Sequence, residues 1–444
     1  MQRPTILILD DEEKLRGLMA QILELEGFVV LQAGTWKAAQ KRLESHQPVD
    51  VVLCDVKLPD GNGVELTQII RATYPMTEVI VLTAYGNISD GVLAIKNGAF
   101  DYITKGDDND KIIPLVYRAI EKIHLARRIQ QLENQVEKKY SFENILGTSP
   151  AIQRAIDLAR KVAPNDTTVL LLGETGTGKE VFAQAIHQAS ARRNKPFVAI
   201  NCSAFGKDML ESEMFGHKAG AFTGATRDKK GLFEEANHGT IFLDEVGDMS
   251  AELQAKVLRV LESGEYFKVG DSKPSTTNVR VIAATNKSLE QDVAAGNFRA
   301  DLFYRLSVFQ ITLPPLRERR EDIPLLVNHF TALFAAKMNK KITSVAEEYL
   351  AIIQRHSWQG NIRELKNIIE RSVILAESTE LTPQTLPFEM QNMSYHTTSS
   401  DRLDLASAEK FHIQKVLHLT NGNKTETARI LGIALTTLYR KLEE

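Results

Sequence analysis

The chain is short of cysteine, of long apolar runs and of net charge, and each shortage excludes a class of protein. Its two cysteines, Cys54 and Cys202, lie in the apolar runs VDVVLCD and PFVAINC, which is typical of small buried residues in a reducing compartment. No apolar run approaches the ~20 residues that cross a bilayer, and the acidic N-terminal stretch TILILDDEE does not suit a signal peptide. We therefore expect a cytoplasmic protein that is neither secreted nor inserted in a membrane.

The small net charge limits the partners, and the length sets the number of domains. A net charge of −3 with 25% charged residues excludes a uniformly basic surface, so any contact with nucleic acid must be local. A chain of 444 residues is too long for one core. It should form roughly three domains of ~100 to 200 residues each.

The N-terminal part alternates short apolar runs with amphipathic stretches. The runs TILILD, VDVVLCD, EVIVLTA and FDYITK are separated by segments of helical spacing, which predicts a parallel sheet with helices on both faces. Residues 112–140 have the pattern of one long helix with apolar residues at Leu125, Ile129, Leu132 and Val136. This stripe favours a short coiled coil and hence a homodimer, although a solvated connecting helix explains it nearly as well.

A second α/β unit begins near Phe142 and ends near the stretch LPPLRERRED, after which helical segments continue to about Pro387. The polar residues that follow have no apolar period, which is typical of a linker, and the remainder forms a small helical module. The predicted domains are an N-terminal domain at 1–120, a helical linker at 121–142, an α/β domain at 143–316, a helical part at 317–387, a flexible linker at 388–402 and a C-terminal module at 403–444.

The run TTVLLLGETGTGKE places a glycine-rich turn between an apolar strand and a helix. The backbone amides of such a turn and the helix N-terminus can wrap a polyphosphate, while the lysine reaches the β and γ phosphates. A capping turn without a ligand explains neither the lysine nor the full spacing. The usual serine or threonine after the lysine is missing, so Mg²⁺ must use other ligands. The predicted nucleotide-binding residues are Gly173, Glu174, Thr175, Gly176, Thr177, Gly178, Lys179 and Glu180.

Two carboxylates end the apolar strand GTIFLDE. We predict that Asp244 holds Mg²⁺ and that Glu245 orients and polarises the attacking water, because phosphoryl transfer depends on positioning and charge neutralisation. Acidic residues after a strand often only cap a helix. Beside a phosphate loop, they indicate hydrolysis.

The second α/β unit resembles the AAA+ domain of NtrC-type bacterial enhancer-binding proteins, which activate sigma-54 RNA polymerase. The resemblance is carried by the phosphate loop together with GAFTGA, GTIFLDE, AATN, FRADLFYRL and WQGNIREL. The resemblance implies that the nucleotide is ATP and that Asn286 in AATN senses its γ-phosphate. It also implies that Arg363 in the lid touches the nucleotide. Asn201 in INCSAF resembles the residue that restrains the catalytic Glu245.

The stretch FRADLFYRL contains two arginines, Arg299 and Arg305. Considered without the family, they are typical of a solvated helix face. The resemblance makes them arginine fingers that reach the nucleotide of a neighbouring subunit. Fingers supplied in trans imply a ring, expected to be a hexamer, because a monomer would lack that stabilisation of the transition state. The predicted catalytic residues are therefore Lys179, Glu245 and these two arginines.

The loop GAFTGA comprises Gly220, Ala221, Phe222, Thr223, Gly224 and Ala225. Its small residues permit a tight exposed loop, but the residues alone favour a tucked turn with Phe222 in the core. All six residues match the family's motif. The resemblance therefore implies that this loop contacts sigma-54 and that ATP turnover raises it against the closed promoter complex.

Polar residues end the apolar runs of the N-terminal part. They are Asp10, Asp11, Asp55, Thr83 and Lys105. Because the carboxyl ends of parallel strands share one edge, these side chains should converge there. Three clustered carboxylates demand a cation, and Mg²⁺ at that position would let Asp55 accept a phosphoryl group.

This set resembles a response-regulator receiver. The resemblance implies that a cognate sensor histidine kinase phosphorylates Asp55, that Thr83 and Lys105 contact the phosphate, and that Tyr102 changes rotamer. Gly106 stands where the family usually has proline, which leaves the geometry of the following turn open. Two schemes are open: either the unphosphorylated receiver represses the ATPase, or phosphorylation of the receiver promotes ring assembly.

Between residues 410 and 442 there are six lysines and arginines against one acid, Glu426. A basic helical module of this size indicates contacts with DNA phosphates, although a helical dimerisation unit is the alternative. GNKTETARILGIALTTLYRKL resembles the Fis-type helix-turn-helix, with Ala428, Ile430 and Leu431 predicted inside and a turn at Gly432. The second helix would enter the major groove of an enhancer-like double-stranded site. The predicted DNA-binding residues are Thr436, Thr437, Tyr439, Arg440 and Lys441.

We therefore predict an α/β multidomain protein with a flavodoxin-like receiver, an AAA+ P-loop domain with a helical lid, and an all-α helix-turn-helix domain. The predicted function is that of a two-component response regulator that hydrolyses ATP and activates sigma-54 transcription. One alternative is a protein-remodelling AAA+ chaperone, which needs neither GAFTGA nor a DNA-reading module. Another is a DNA-binding regulator whose nucleotide only sets its oligomeric state.

Overall fold

The computed structural model describes residues 3–392 and 409–443, except 47, 84–87, 106–110, 411, 415, 418, 419 and 421. Side chains are also outside this description at 88–90, 132–139, 207, 208, 392 and 443. Three features of the sequence analysis therefore lie outside the described residues: Gly106, most of the predicted linker 388–402, and the side chains of Leu132 and Val136. The chain divides into two compact units, Met1–Lys139 and Tyr140–Glu444.

The first unit is built on a five-stranded parallel sheet. Its strands are β1 Thr5–Leu9, β2 Val29–Ala33, β3 Val51–Asp55, β6 Glu78–Thr83 and β7 Asp101–Thr104, with a hairpin of β4 Lys57–Leu58 and β5 Gly61–Asn62. The strand order β2-β1-β3-β6-β7 is that of the flavodoxin-like fold, as predicted. The nearly continuous apolar strands are buried on both faces, because helices cover both.

Five helices flank this sheet: α1 Glu13–Leu25, α2 Trp36–Ser45, α3 Gly63–Thr73, α4 Ile88–Lys96 and α5 Ile112–Lys139. The last of these confirms the predicted long helix and runs through the proposed domain boundary at residue 120. Beyond that boundary, Ile123 is still in the sheet-packing core. Lys122 and Arg127 form ion pairs with Glu78 and Asp50, at 2.8 and 2.6 Å. One helix thus serves both the receiver and the linker.

The second unit begins with another parallel sheet, made of β8 Val169–Leu172, β9 Phe197–Asn201, β12 Thr240–Asp244, β15 Arg280–Thr285 and β16 Phe309–Thr312. The strand order is β16-β8-β15-β12-β9, so the central strands β8, β15 and β12 carry their carboxyl ends to one edge. Two short ladders lie outside it: β10 Gly216–His217 with β11 Lys229–Lys230, and β13 Glu265–Phe267 with β14 Pro274–Thr276.

The helices of this α/β part are α6 Pro150–Val162, α7 Lys179–Gln188, α8 Lys207–Phe215, α9 Leu232–Glu235, α10 Ala251–Ser263, α11 Leu289–Ala294 and α12 Ala300–Leu306. Short 3-10 turns occur at Phe142–Asn144, Val246–Asp248, Leu316–Glu318, Arg320–Asp322 and Pro383–Thr385. Apolar side chains fill a core on each face of the sheet, with Phe242 on one face and Leu243 on the other.

A helical lid follows, with α13 Ile323–Lys337, α14 Glu347–Arg355, α15 Asn361–Leu375 and α16 Phe388–Asn392. A two-stranded ladder of β17 Ser344–Val345 and β18 Glu380–Leu381 joins the connection between α13 and α14 to the segment that follows α15. The last helix lies where we predicted linker, and its Met390 is buried in the lid core. Five residues are too few to reveal a helical period, which explains the difference.

The C-terminal module contains α17 Lys424–Leu431 and α18 Leu435–Glu443, packed through Ile413, Ala428 and Leu438. The predicted turn is present, and Gly432 adopts φ +67° there, as a left-handed helix cap requires. The prediction that Ile430 is inside was wrong, because this side chain is 57% exposed. It follows Ala428 by two residues, about 200° around the helix, and therefore points away from the core.

Candidate functional site

The phosphate loop connects β8 to α7 by a chain of glycines in left-handed or related conformations. Gly173, Gly176 and Gly178 have φ of +154°, +82° and +103°, which side chains rarely adopt. Thr177 closes the turn by donating its hydroxyl to the carbonyl of Glu174 at 2.8 Å. The helix starts directly at Lys179, so its free amides face the loop. This arrangement can cradle an anionic phosphate.

Lys179, Asp244 and Glu245 lie together at the carboxyl edge of the sheet. The buried Lys179 Nζ is 3.6 Å from Glu245 Oε1 and donates to the carbonyl of Gly173 at 2.9 Å. Burial and the neighbouring Glu245 raise the pKa of Asp244 above its ordinary value. Glu245 itself has φ +53°, a left-handed conformation that strains a residue with a Cβ and that tends to occur at active sites.

Asn286 joins the strand-end acids to the phosphate loop. Its backbone amide donates to Glu245 Oε2 at 3.1 Å, and its side-chain amide donates to Thr175 Oγ1 at 3.0 Å. The stretch AATN therefore lies between the phosphate loop and Glu245, and the role of Asn286 as a γ-phosphate sensor stays a prediction. The partner of Glu245 at this point is a backbone amide, which the sequence could not indicate.

The predicted restraint of Glu245 and the two predicted arginine fingers lie in different surroundings. Asn201 accepts hydrogen bonds from the amide and hydroxyl of Ser203, at 2.8 and 2.7 Å, so its restraint of Glu245 stays a prediction. Arg299 and Arg305 are exposed at the two ends of α12. Arg299 pairs with Asp301 at 2.7 Å, and Arg305 donates to the backbone carbonyl of Leu261. Their action on a neighbouring subunit stays a prediction.

Arg363 lies in the first turn of α15, beside the phosphate loop. A Cβ built on Gly176 would be 3.1 Å from the Cβ of Arg363, so the lid helix begins against the loop. Sequence reasoning missed two neighbours at this junction, Arg317 and Asn361, whose side chains both reach Glu174. Their signal was present in the charge-rich LRER and in the Gly-Asn pair of WQGN.

The GAFTGA loop is a tight turn closed by its own backbone, with Phe222 exposed and Ala225 buried. The amide of Gly220 donates to the carbonyl of Ala225 at 2.7 Å, and its base is tied to Val269 by the amide of Lys218. Phe222 is 46% exposed, so the tucked alternative is not what the chain adopts. One edge of its ring packs against His217, at 4.9 Å between centroids.

The receiver residues converge as the strand topology predicts. One carboxylate oxygen from each of Asp10, Asp11 and Asp55 lies within 4.8 Å of the others. Lys105 Nζ is 2.8 Å from Asp10 Oδ2 and 2.7 Å from Asp55 Oδ2. Thr83 is buried at the same edge and donates to the carbonyl of Ile103 at 3.4 Å.

The receiver's charges are coupled. Burial raises the pKa of Asp55, although the hydrogen bond from Lys105 opposes the change. Burial alone would lower the pKa of Lys105, but its hydrogen bonds to Asp10 and Asp55 outweigh burial and raise it. Tyr102 packs its ring on α4, so closely that a Cβ on Gly91 would be 2.6 Å from the ring. The Tyr102 ring is therefore in direct contact with α4, and its change of rotamer stays a prediction.

The predicted DNA-binding residues lie on α18. Thr436, Tyr439 and Arg440 are exposed and Thr437 is partly exposed. Lys441 forms an ion pair with Glu409 at 2.6 Å, so its charge is partly neutralised within the module. Lys424 lies 4.6 Å from the centroid of the Tyr439 ring, which adds a further cation to this surface. Among the described helices, none combines the length and the apolar character needed to cross a membrane.

Four family models match successive parts of the chain: the response regulator receiver domain at 6–117, the sigma-54 interaction domain at 145–312, the AAA+ ATPase lid domain at 317–403 and the bacterial regulatory protein, Fis family, at 404–444. Together with the two parallel sheets and the phosphate loop, these matches define a receiver-linked AAA+ ATPase that regulates transcription.

The chain is 39% identical over 448 residues to the regulatory protein AtoC of Escherichia coli (strain K12), covering 99% of this chain and 97% of that protein. It is 36% identical to the DNA-binding transcriptional regulator NtrC of Proteus hauseri, covering 100% and 99%. The crystal structure of NtrX from Brucella abortus in complex with ATP matches with a TM-score of 0.65 and 33% identity, covering 100% and 99%. The chain therefore belongs to the family of sigma-54-dependent response regulators, which are nucleotide-binding ATPases and activate transcription.

Proposed function

We propose that phosphorylation of Asp55 by a sensor histidine kinase controls assembly of this cytoplasmic protein into an ATP-hydrolysing ring, which opens sigma-54 promoters from an upstream DNA site. The observation that supports this most is in the ATPase domain. There Lys179 and the strained Glu245 meet at the phosphate loop, while the same domain presents Phe222 on an exposed loop. Hydrolysis and a protein contact are thus built into one domain.

Each group at the nucleotide site has a task in this proposal. The loop amides and Lys179 bind the phosphates, and Glu245 takes a proton from the attacking water as it is positioned. Asn286 contacts both the loop and Glu245, so it can report whether a γ-phosphate is present. Asp244 is a carboxylate beside the loop and fits a Mg²⁺ ion, which would neutralise phosphate charge when bound.

The arginines supply the reason for a ring. Arg299 and Arg305 are exposed, and neither hydrogen-bonds the phosphate loop of its own chain among the described contacts. We infer that they stabilise the transition state in a neighbouring subunit, with a hexamer as the expected assembly. The exposed Leu125 and Ile129 on α5 favour a homodimer through this helix as the resting unit.

The receiver site fits a divalent cation, because three carboxylates converge on the edge where Asp55 must be phosphorylated. Asp10 and Asp11 would hold Mg²⁺, which would neutralise the incoming phosphate. Thr83 and Lys105 then bind the new phosphate, and Tyr102 responds by turning. At the other end of the chain, residues 436, 437, 439, 440 and 441 contact enhancer-like double-stranded DNA.

Two variants of the full chain separate ATP hydrolysis from the sigma-54 contact. Glu245→Gln should abolish ATP turnover and promoter opening, with a kcat loss of about 10²–10⁴-fold for removal of a general base. Phe222→Ala should keep ATP turnover and lose promoter opening by sigma-54 RNA polymerase on a supercoiled template. Full promoter opening by the Phe222 variant would favour the remodelling-chaperone alternative, in which this loop contacts other proteins.

A further inference from the structure

Glu174, the second residue of the phosphate loop, directs its carboxylate toward the lid. Arg317 donates to both of its oxygens, Nη1 to Oε2 at 2.8 Å and Nη2 to Oε1 at 2.6 Å. Asn361 Nδ2 donates to Oε2 at 3.1 Å. The hydrogen bonds from Arg317 and then Asn361 lower the pKa of Glu174 to about 2, so it is charged at every working pH.

Asn361 extends this contact into the backbone of both partners. Its amide also donates to the carbonyl of Thr175 at 3.1 Å, and its oxygen accepts from the amide of Leu316 at 2.7 Å. Asn361 is fully buried and has φ +52°. A buried side chain with every polar group engaged fixes the position of what it contacts. Asn361 is the first residue of α15, so its contacts fix the phosphate loop against the start of this helix.

The two backbones also touch directly. The amide of Ile362 donates to the carbonyl of Gly176 at 3.0 Å. A Cβ on Gly176 would be only 2.2 Å from the carbonyl oxygen of Gly360, so no side chain fits between them. Trp358, just before, has φ +52°, which is rare for a bulky residue and indicates a connection held in one conformation.

We propose that Glu174 is a positioning residue that latches the phosphate loop to the lid, and that it is not a nucleotide ligand. A free carboxylate in a loop that binds polyphosphate would repel the ligand, and its pairing with Arg317 removes that repulsion. The latch sets where Arg363 on α15 stands relative to the phosphates. The same contact transmits to the lid any shift of the phosphate loop that nucleotide binding causes. This inference rests on the ATP hydrolysis proposed above.

The test compares nucleotide binding with turnover in the full-length protein. In Glu174→Gln, affinity for a fluorescent ATP analogue should stay within about threefold of the parent, whereas kcat should fall about tenfold, because catalysis depends on placement more than binding does. The more conservative Arg317→Lys keeps the charge and loses the two-pronged geometry, so an intermediate loss is expected. The exchanged pair, Glu174→Arg with Arg317→Glu, should recover much of the lost kcat.

The control is Asp166→Asn, which removes another arginine partner on the same domain. Arg192 Nη2 is 3.0 Å from Asp166 Oδ2, and Asp166 is 63% exposed. This variant should leave affinity and kcat unchanged. If Glu174→Gln weakens the analogue's affinity tenfold while saturated turnover is normal, Glu174 is a ligand and the latch is refuted. Unchanged affinity and unchanged kcat also refute it. A parent protein without ATP turnover would instead refute the proposed function itself.

Discussion

Asp322 offers a stability prediction whose size follows from the contacts it makes. It lies at the junction of the α/β part and the lid and is fully buried. Oδ1 accepts from the backbone amides of Thr148 and Ser149, at 2.6 and 2.9 Å, and Oδ2 accepts from the Ser149 hydroxyl at 2.7 Å. Asp322 thus anchors the residues that begin the ATPase domain, where α6 starts.

Replacing Asp322 with alanine leaves four donors without this acceptor, because the Thr148 hydroxyl also donates to Oδ1, at 3.4 Å. An orphaned buried donor costs about 1–3 kcal/mol, and the buried Arg319 nearby loses a favourable charge, so we expect a loss of about 3–5 kcal/mol in the free energy of unfolding. For a domain of this size, that loss corresponds to a melting temperature lowered by about 6–20 °C. Asp322→Asn keeps one carbonyl acceptor and should lose roughly half as much.

The assay is thermal unfolding of the full chain with and without ATP, because the transition that nucleotide shifts belongs to the ATPase domain. Asp166→Asn again serves as the matched control, since removing an exposed ion pair costs about 0–1 kcal/mol. If Asp322→Ala melts within about 2 °C of the parent in the nucleotide-sensitive transition, water replaces the carboxylate and the reasoning fails.

The surroundings of His187, His217 and Lys105 each predict a measurable effect. Burial lowers the pKa of His187 from 6.5 to about 4, because the folded protein favours the neutral imidazole. The contribution of His187 to the free energy of unfolding is therefore complete above pH 6.5 and is lost as the pH falls toward 4. Urea unfolding at pH 5 should show a loss of about 2 kcal/mol relative to pH 7, and His187→Gln should show little of it. His217→Ala removes the ring behind Phe222, a contact of about 0.5–1.5 kcal/mol, and should lower promoter opening severalfold while ATP turnover persists. Lys105→Ala frees two receiver carboxylates of a competing cation, so calorimetric titration should show tighter Mg²⁺ binding; weaker binding would contradict the geometry.

The strand-end chemistry could be predicted from the sequence because it is local. Asp55 and Asp244 each end an apolar strand, and parallel strands bring such ends to one edge wherever the chain goes in between. The phosphate loop could be predicted equally well, since its three glycines and Lys179 all lie within the seven successive positions 173–179. For these residues, the local sequence pattern is enough to predict their position in the fold.

The contacts that join the domain's parts could not be predicted. Glu174 and Arg317 are separated by 143 residues, so the charge-rich LRER marks Arg317 as a candidate but no local pattern indicates that it pairs with Glu174. The boundary near residue 120 was equally hidden, because one helix packs on the receiver and continues beyond it. Ile430 shows the opposite failure, in which an apolar residue on a short helix was placed inside although the helix geometry turns it outward.

The most direct test of the account is ATP hydrolysis as a function of protein concentration, with and without acetyl phosphate, in the parent and in Asp55→Ala. We predict turnover per chain that rises steeply with concentration, and that acetyl phosphate enhances only when Asp55 is present. That result would support arginine fingers acting between subunits under receiver control. Turnover per chain that is independent of concentration and of Asp55 would leave an ATPase but contradict a phosphorylation-controlled ring.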